Sequence, residues 1–319
     1  QKPTISAPHF TKSSCAASQR RRSFPRLSSS MKFKAFLTQN GMSLLEKRFI
    51  PALQKMGKVC HVYLTRDHAF FLHNLLTNDG VQSIAEFKKE SLFSDYRISS
   101  QTDDRIAFSL DLSLLLRALR SAAGISNHLQ LKLVKKLPPN CTNSMPFLTF
   151  ETKGYASAVI QDIPISRPLS RAQLLELQTA LDDAQDLPKT LVGVSELERL
   201  QSFVERMKQL GDVMRVQIGR TGELGLKIYS SLVTLGAEFK RLMVVGEDTE
   251  EDELNVLVSM KHFAKCLQCH LAKPDCAFYG VGSQGGSLTV VFQFFMPGSR
   301  QTDKSVSLHC RLPVLDPGS

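Results

Sequence analysis

A chain of 319 residues with 42% hydrophobic residues can bury one large core or two of ordinary size, and no apolar run approaches the roughly 18 residues that span a bilayer. The formal charge is +10, but residues 1–30 carry Lys2, Lys12, Arg20, Arg21, Arg22 and Arg26 and no acid, which leaves 34 basic against 30 acidic residues in the body. That near balance excludes net charge as an argument for a polyanion partner, and seven scattered cysteines exclude a disulfide framework, so a reducing compartment is expected.

Residues 1–30 are Ser- and Arg-rich and lack aliphatic periodicity, so they contribute little to a core. Two readings of them stand, an organelle transit peptide or an extension ahead of Met31, and we take the second. From Met31 the pattern becomes globular. MKFKAFL alternates as a strand, and Ser43-x-x-Glu46 reads as a capping box opening a helix with Leu45, Phe49, Leu53 and Met56 on one side. Pro51 should kink or loosen that helix. Gly57 ends it, and two alternating strands follow, with Cys60, Val62 and Leu64, then Phe70 and Leu72. Further strands are predicted at Val81–Phe87 and Ile106–Leu110. A second helix is predicted from Leu112 to Ala123, ended by Gly124, and a hairpin from His128–Val134 and Phe147–Thr152.

The order then repeats. MGKVCHVYLTRDHAFFL at Met56–Leu72 is echoed by LGDVMRVQIGRTGELGL at Leu210–Leu226, a constant offset of 154 residues. Ser195-x-x-Glu198 reads as another capping box, leading a helix with Leu197, Leu200, Val204 and Met207 before Gly211. AEFK at Ala85–Lys88 returns at Ala237–Lys240. Leu112, Leu115, Leu116 and Leu119 match Met260, Phe263, Ala264 and Leu267 at an offset of 148. Pro274 stops this last helix, and Cys276–Val281 and Leu288–Phe294 are predicted as the closing hairpin. The fold class is α+β, with two tandem similar domains, each of two helices packed on antiparallel sheet. Residues 31–165 form the first domain, 166–188 a connector with one helical turn near Leu174–Leu177, and 189–319 the second.

Three motifs suggest other chemistry. Cys266-Leu-Gln-Cys269-His270 matches c-type haem attachment, but it falls inside a repeated amphipathic helix whose other copy has Ala118 and Ser121 there. Ordinary half-buried residues are the better reading. Gly280-x-Gly282-x-x-Gly285 matches a dinucleotide fingerprint, which needs a following helix, whereas LTVVFQFF reads as a strand. Six carboxylates in Glu247–Glu253 lack the order of a calcium loop and read as a solvated loop. No catalytic set, metal site or cofactor is expected. What remains is the polar side of the four helices: Lys47, Arg48, Lys55 and Lys58; Arg117 and Arg120; Arg199, Arg206 and Lys208; Lys261 and Lys265. A basic surface made only of helix faces suits phosphate-backbone contact without base reading.

The chain resembles the DNA sliding clamps, and within them the Hus-type subunits of the nine-one-one DNA-damage checkpoint clamp. The residues carrying this are MKFKA at Met31–Ala35, SLDLSLLLRALRSA at Ser109–Ala122, DIPI at Asp162–Ile165 and GELGLKI at Gly222–Ile228. The resemblance implies a heterotrimeric ring with two related subunits, helices lining a hole around double-stranded DNA without sequence preference, a clamp loader, and a nuclear location. It implies subunit interfaces at Val159, Ile160, Ile163 and Ile165 in one domain and Leu232, Val233, Leu235 and Phe239 in the other. A homotrimeric replication clamp is the runner-up, and a c-type haem protein the alternative of another class.

Overall fold

The computed structural model describes residues 31–77, 80–123, 129–139, 141–153, 158–229, 233–246, 253–282 and 285–316. The basic extension (1–30), Gly124, Leu232 and most of the acidic run therefore lie outside the described residues.

The first half runs β1 (Lys32–Leu37), α1 (Gln39–Leu44), a π turn (Leu45–Phe49), α2 (Ile50–Met56), β2 (Val59–Leu64), β3 (His68–His73), β4 (Gln82–Lys88), a short α3 (Lys89–Leu92), β5 (Phe93–Ser99), β6 (Ile106–Asp111), α4 (Leu112–Ala122), β7 (Leu129–Lys136), β8 (Met145–Lys153) and β9 (Ala158–Pro164). Then comes α5 (Arg171–Gln185). The second half runs β10 (Thr190–Val194), α6 (Leu197–Met207), β11 (Val213–Gly219), β12 (Glu223–Tyr229), β13 (Thr234–Phe239), β14 (Met243–Gly246), β15 (Glu253–Ser259), α7 (Met260–Leu267), a 3-10 turn (Gln268–Ala272), β16 (Cys276–Val281), β17 (Ser287–Gln293) and β18 (Val306–Pro313).

Strand order states the duplication. One sheet is ordered β5-β1-β7-β8-β9, and the same pattern returns as β14-β10-β16-β17-β18. Likewise β4-β3-β2-β6 returns as β13-β12-β11-β15. In the middle of the molecule β18 pairs antiparallel with β4, from Val306 opposite Phe87 to Arg311 opposite Gln82, fusing two of these units into one nine-stranded sheet. The closing hairpin read from sequence is thus a three-stranded end, and β18, like β5, β10, β14 and β15, is a strand that sequence reasoning left out.

The helices pack side by side on one face of the sheets, with α2 touching α4 and α7, and α7 touching α6. Their apolar stripes enter a core continuous through both halves. Neither expected capping box forms. Thr38 caps α1 by accepting from the Gly41 N–H at 2.9 Å, placing Ser43 inside the helix, and α6 starts at Leu197 without a side-chain cap. A Cβ on Gly41 would stand 2.3 Å from the Leu92 carbonyl oxygen, so only glycine lets α1 lie this close to α3. Pro51 loosens its helix as expected: the turn before it widens, and the Ile50 N–H reaches the Leu45 carbonyl five residues back.

The connector is more ordered than one turn. Ser170 and Gln173 form a reciprocal capping box, and α5 runs for 15 residues with Leu174, Leu177, Leu181 and Ala184 buried. It covers the sheet face away from the other helices, over Tyr63, Phe70, Leu72 and Ile84. The Tyr63 hydroxyl donates to Gln178 Oε1 at 2.6 Å.

The competing motifs resolve structurally. Cys266 and Cys269 are fully buried, with Cys269 Sγ 3.7 Å from Cys310 Sγ, so neither thiol is placed to take a haem. Gly280 lies in β16, the Gly282 N–H donates to the Ser287 carbonyl, and β17 rather than a helix follows.

Candidate nucleic-acid interface and open sheet edges

The four helix segments α4, α2, α7 and α6 form one row, and their outward sides carry the basic residues singled out from sequence. The structure sorts these into three groups. Lys47, Lys55, Arg117 and Lys261 are exposed, and Lys265 is half-buried; none of the five makes an ion pair among the described residues. A second group is held by neighbouring acids: Lys58 with Asp111 at 3.4 Å, Arg120 with Glu46 at 3.8 Å, Arg199 with Glu196 at 3.0 Å and Lys208 with Glu205 at 3.9 Å. The two pairs on α6 are exposed on both sides and worth little in water, whereas Asp111 and Glu46 are mostly buried and hold Lys58 and Arg120 from the protein side. Asp111 also caps α4, accepting from the Ser113 N–H at 2.7 Å, and its hydrogen bonds to Ser113, Lys58 and Leu114 outweigh burial and hold its carboxyl below the usual range.

Arg48 and Arg206 form the third group and correct the expectation of a uniform basic face. Arg48 is half-buried: Nε donates to the Ala272 carbonyl at 2.8 Å, an Nη to the Lys273 carbonyl at 3.1 Å, and the guanidinium lies 5.2 Å from the Phe294 ring. It therefore ties the first half to the end of the last helix and is consumed structurally. Burial lowers its pKa, opposed by the charges of Asp275 and Asp303. Arg206 lies 5.8 Å from the Phe203 ring, beside the β13 edge rather than in the middle of the helical face. Arg199 lines the same groove. Exposed Glu196, Glu198 and Glu205 balance Arg199, Arg206 and Lys208 on α6, so the positive surface is concentrated on α2, α4 and α7.

Two strand edges bear on assembly. Among the described residues β9 pairs only with β8, and β13 only with β12, so each presents a free row of N–H and C=O groups. On β9, Ile160 is 58% exposed and Val159 half-buried. Ile163 and Ile165, expected at an interface, are buried in this chain's own core, with Ile165 bridged to Leu110. On the other edge Val233 is exposed, and Leu235 and Phe239 are half-buried. Sequence reasoning did not single out Phe203, although its 154-residue offset from Phe49 was the available signal. No cluster of three or more His, Cys, Asp or Glu that could hold a metal occurs among the described residues. No described helix is long and apolar enough to cross a membrane.

Three comparisons bear on this geometry. A family model described as Hus1-like protein matches residues 31–300. The chain is 29% identical over 255 residues to a checkpoint protein hus1 homolog of Dictyostelium discoideum, covering 77% of this chain and 88% of that one. It is 28% identical over 228 residues to the checkpoint protein HUS1 of Homo sapiens, covering 70% and 79%. The crystal structure of proliferating cellular nuclear antigen from Entamoeba histolytica superposes with a TM-score of 0.59 at 11% identity, covering 90% of this chain and all of that one. The fold is that of a sliding clamp.

Proposed function

Because this chain belongs to the Hus1-like family, we propose that it is one subunit of a heterotrimeric ring that encloses double-stranded DNA and recruits checkpoint and repair factors in the nucleus. The observation carrying this is the internal pairing of β18 with β4. By the duplication, β9 is the counterpart of β18 and β13 the counterpart of β4. Among the described residues both counterparts have free edges. The junction that joins the halves of one chain can therefore be repeated between chains, β9 of one against β13 of the next. Such head-to-tail contacts close into a ring when the rotation per step permits.

In that ring the row of helices faces inward. Lys47, Lys55, Arg117, Lys261 and Lys265 then contribute mobile phosphate contacts that read no sequence. Enclosure holds the DNA, so weak, salt-sensitive contacts suffice. The chain acts as a scaffold, with two related subunits as neighbours and a loader to open the ring. Residues 31–165 and 189–319 are the two clamp units, with 166–188 between them. The test is the mass of the co-purified chain with two related clamp subunits. A one-to-one-to-one complex is expected, and failure to assemble with them overturns the reading. A homotrimer of this chain alone would instead point to a replication clamp.

A further inference from the structure

The duplication supplies an internal template for what sits on the β13 edge. Within the chain, the β18–β4 junction is sealed by three aromatic rings. Phe49 ends the π turn, its ring 4.7 Å from Phe87 on β4 and 5.2 Å from Phe294 just past β17. Exposure is 0% for Phe49 and Phe87 and 4% for Phe294, so the trio is dry.

Two of the three recur in the second half. Phe203 is Phe49's counterpart at the 154-residue offset, and Phe239 is Phe87's in the repeated AEFK. Here both are half-exposed and together line a groove of about 470 Å³ with Leu242, Arg199 and Arg206. Charged pairs rim it, Arg199 with Glu196 at 3.0 Å and Glu238 with Lys240 at 3.3 Å. An apolar floor with a polar rim is the anatomy of an interface hot spot, in which one buried aromatic anchor contributes most of the affinity.

The third ring has no counterpart among the described residues. Val290 pairs with Tyr279 as Phe150 pairs with Leu131, and Tyr279 follows Leu131 at the 148-residue offset shared by the last two clamp helices. Phe294 is four residues beyond Val290, and four beyond Phe150 the sequence has Gly154, which carries no side chain. At that register a second copy of this chain would bring a glycine, not a ring, to the edge.

We infer that Phe203 and Phe239 form a socket for an aromatic or large aliphatic side chain of a different but related clamp chain, presented just beyond that chain's counterpart of β8. This rests on the ring reading above and adds to it which residue type the neighbour must bring. It also makes the β13 edge selective against a second copy of this chain, since a hot-spot pocket without its anchor forfeits most of its affinity.

The chain has no tryptophan, so Phe203→Trp with 5-fluorotryptophan labelling gives a single ¹⁹F resonance at the socket. Adding the two related clamp chains of the same organism should shift that line, whereas raising the concentration of this chain alone should not. Phe203→Ser with Phe239→Ser should weaken capture of the β13-edge neighbour at least tenfold while the β9-edge neighbour stays bound, seen as a two-chain mass. A complete ring whose ¹⁹F line does not move, or whose affinity changes less than twofold in the double variant, overturns the socket alone. A concentration-dependent shift without partners overturns its selectivity. Absence of any complex with the unmodified chain overturns the ring reading and the socket with it.

Discussion

The helix leading to Gly57 and the helix leading to Gly211 hold equivalent places, yet one is sealed and the other open. The first carries a π turn that aims Phe49 into the junction between the halves, and its Arg48 is held by the carbonyls of Ala272 and Lys273. In the second, a regular helix leaves Phe203 half-exposed with Arg206 over its ring. One inserted residue at the π turn and one strand, β18, separate a finished junction from an unfinished one. Duplication gives both halves the same architecture, and the packing around each copy decides whether it serves stability or assembly.

The contrast is broken most sharply at the aromatic pair. Phe49→Ala should cost about 3–5 kcal/mol, as for other fully buried phenylalanines, whereas Phe203→Ala should cost under about 1 kcal/mol in the isolated chain. Urea midpoints of the two variants measure this directly.

Acid should act on the first half next. His73 is buried beneath the Gly57 turn, bonded to Ser83 Oγ at 2.9 Å, and burial lowers its pKa to about 4. The second half has buried Ile228 at the equivalent place beneath Gly211, a side chain with no proton to exchange. A histidine depressed in the folded state is neutral there while the unfolded chain takes up a proton below about 6.5. Stability should therefore fall between pH 6.5 and 4, by on the order of 3 kcal/mol from this group. His73→Gln should flatten that slope in denaturant titrations run at several pH values, and Ile228→Val, at the equivalent place in the second half, should not.

Arg48→Met leaves two carbonyls without their donor and should cost about 1–3 kcal/mol. Arg206→Met, at the open groove, should leave unfolding within about 0.5 kcal/mol of the parent. The smallest effect on the fold, and the one specific to DNA, comes from the exposed cations of the first two helices. Reversing Lys47, Lys55 and Arg117 to Glu should lower the slope of log affinity against log salt by about 3, roughly 0.9 per phosphate contact. Reversing Arg199 and Arg206 should leave that slope nearly unchanged and disturb assembly instead. Equal slopes for the two sets would remove the distinction drawn between the helices.

Much of this was legible in the sequence. Alternation after Gly57 and Gly211 fixed the hairpins, and the 3.6-residue stripes fixed α4, α6 and α7. The misses share a cause: local pattern was weighed without its tertiary partner. β18 alternates Val306, Leu308, Cys310 and Leu312 clearly enough, but nothing adjacent in sequence announced that its mate was β4. α5 carried both a capping box and a leucine stripe, masked by prolines on either side. At the site, residue type located the basic helices but not the state of each cation. Arg48 and Arg117 look alike in sequence, and only packing shows the first bound to carbonyls and the second exposed.

The β18–β4 pairing also sets an order of events during synthesis. Between Lys88, which ends β4, and Val306, which begins β18, the ribosome must add 217 further residues. At about 5–20 residues per second that is roughly 10–45 seconds in which the first half carries an exposed strand edge and an aromatic trio missing its third ring. The nascent first half therefore resembles, for that interval, the second half of the finished protein. Both offer the same shape of edge, so premature capture of β4 by another chain's strand is the characteristic misassembly hazard of this architecture, and a chaperone that shields strand edges during translation is the matching remedy.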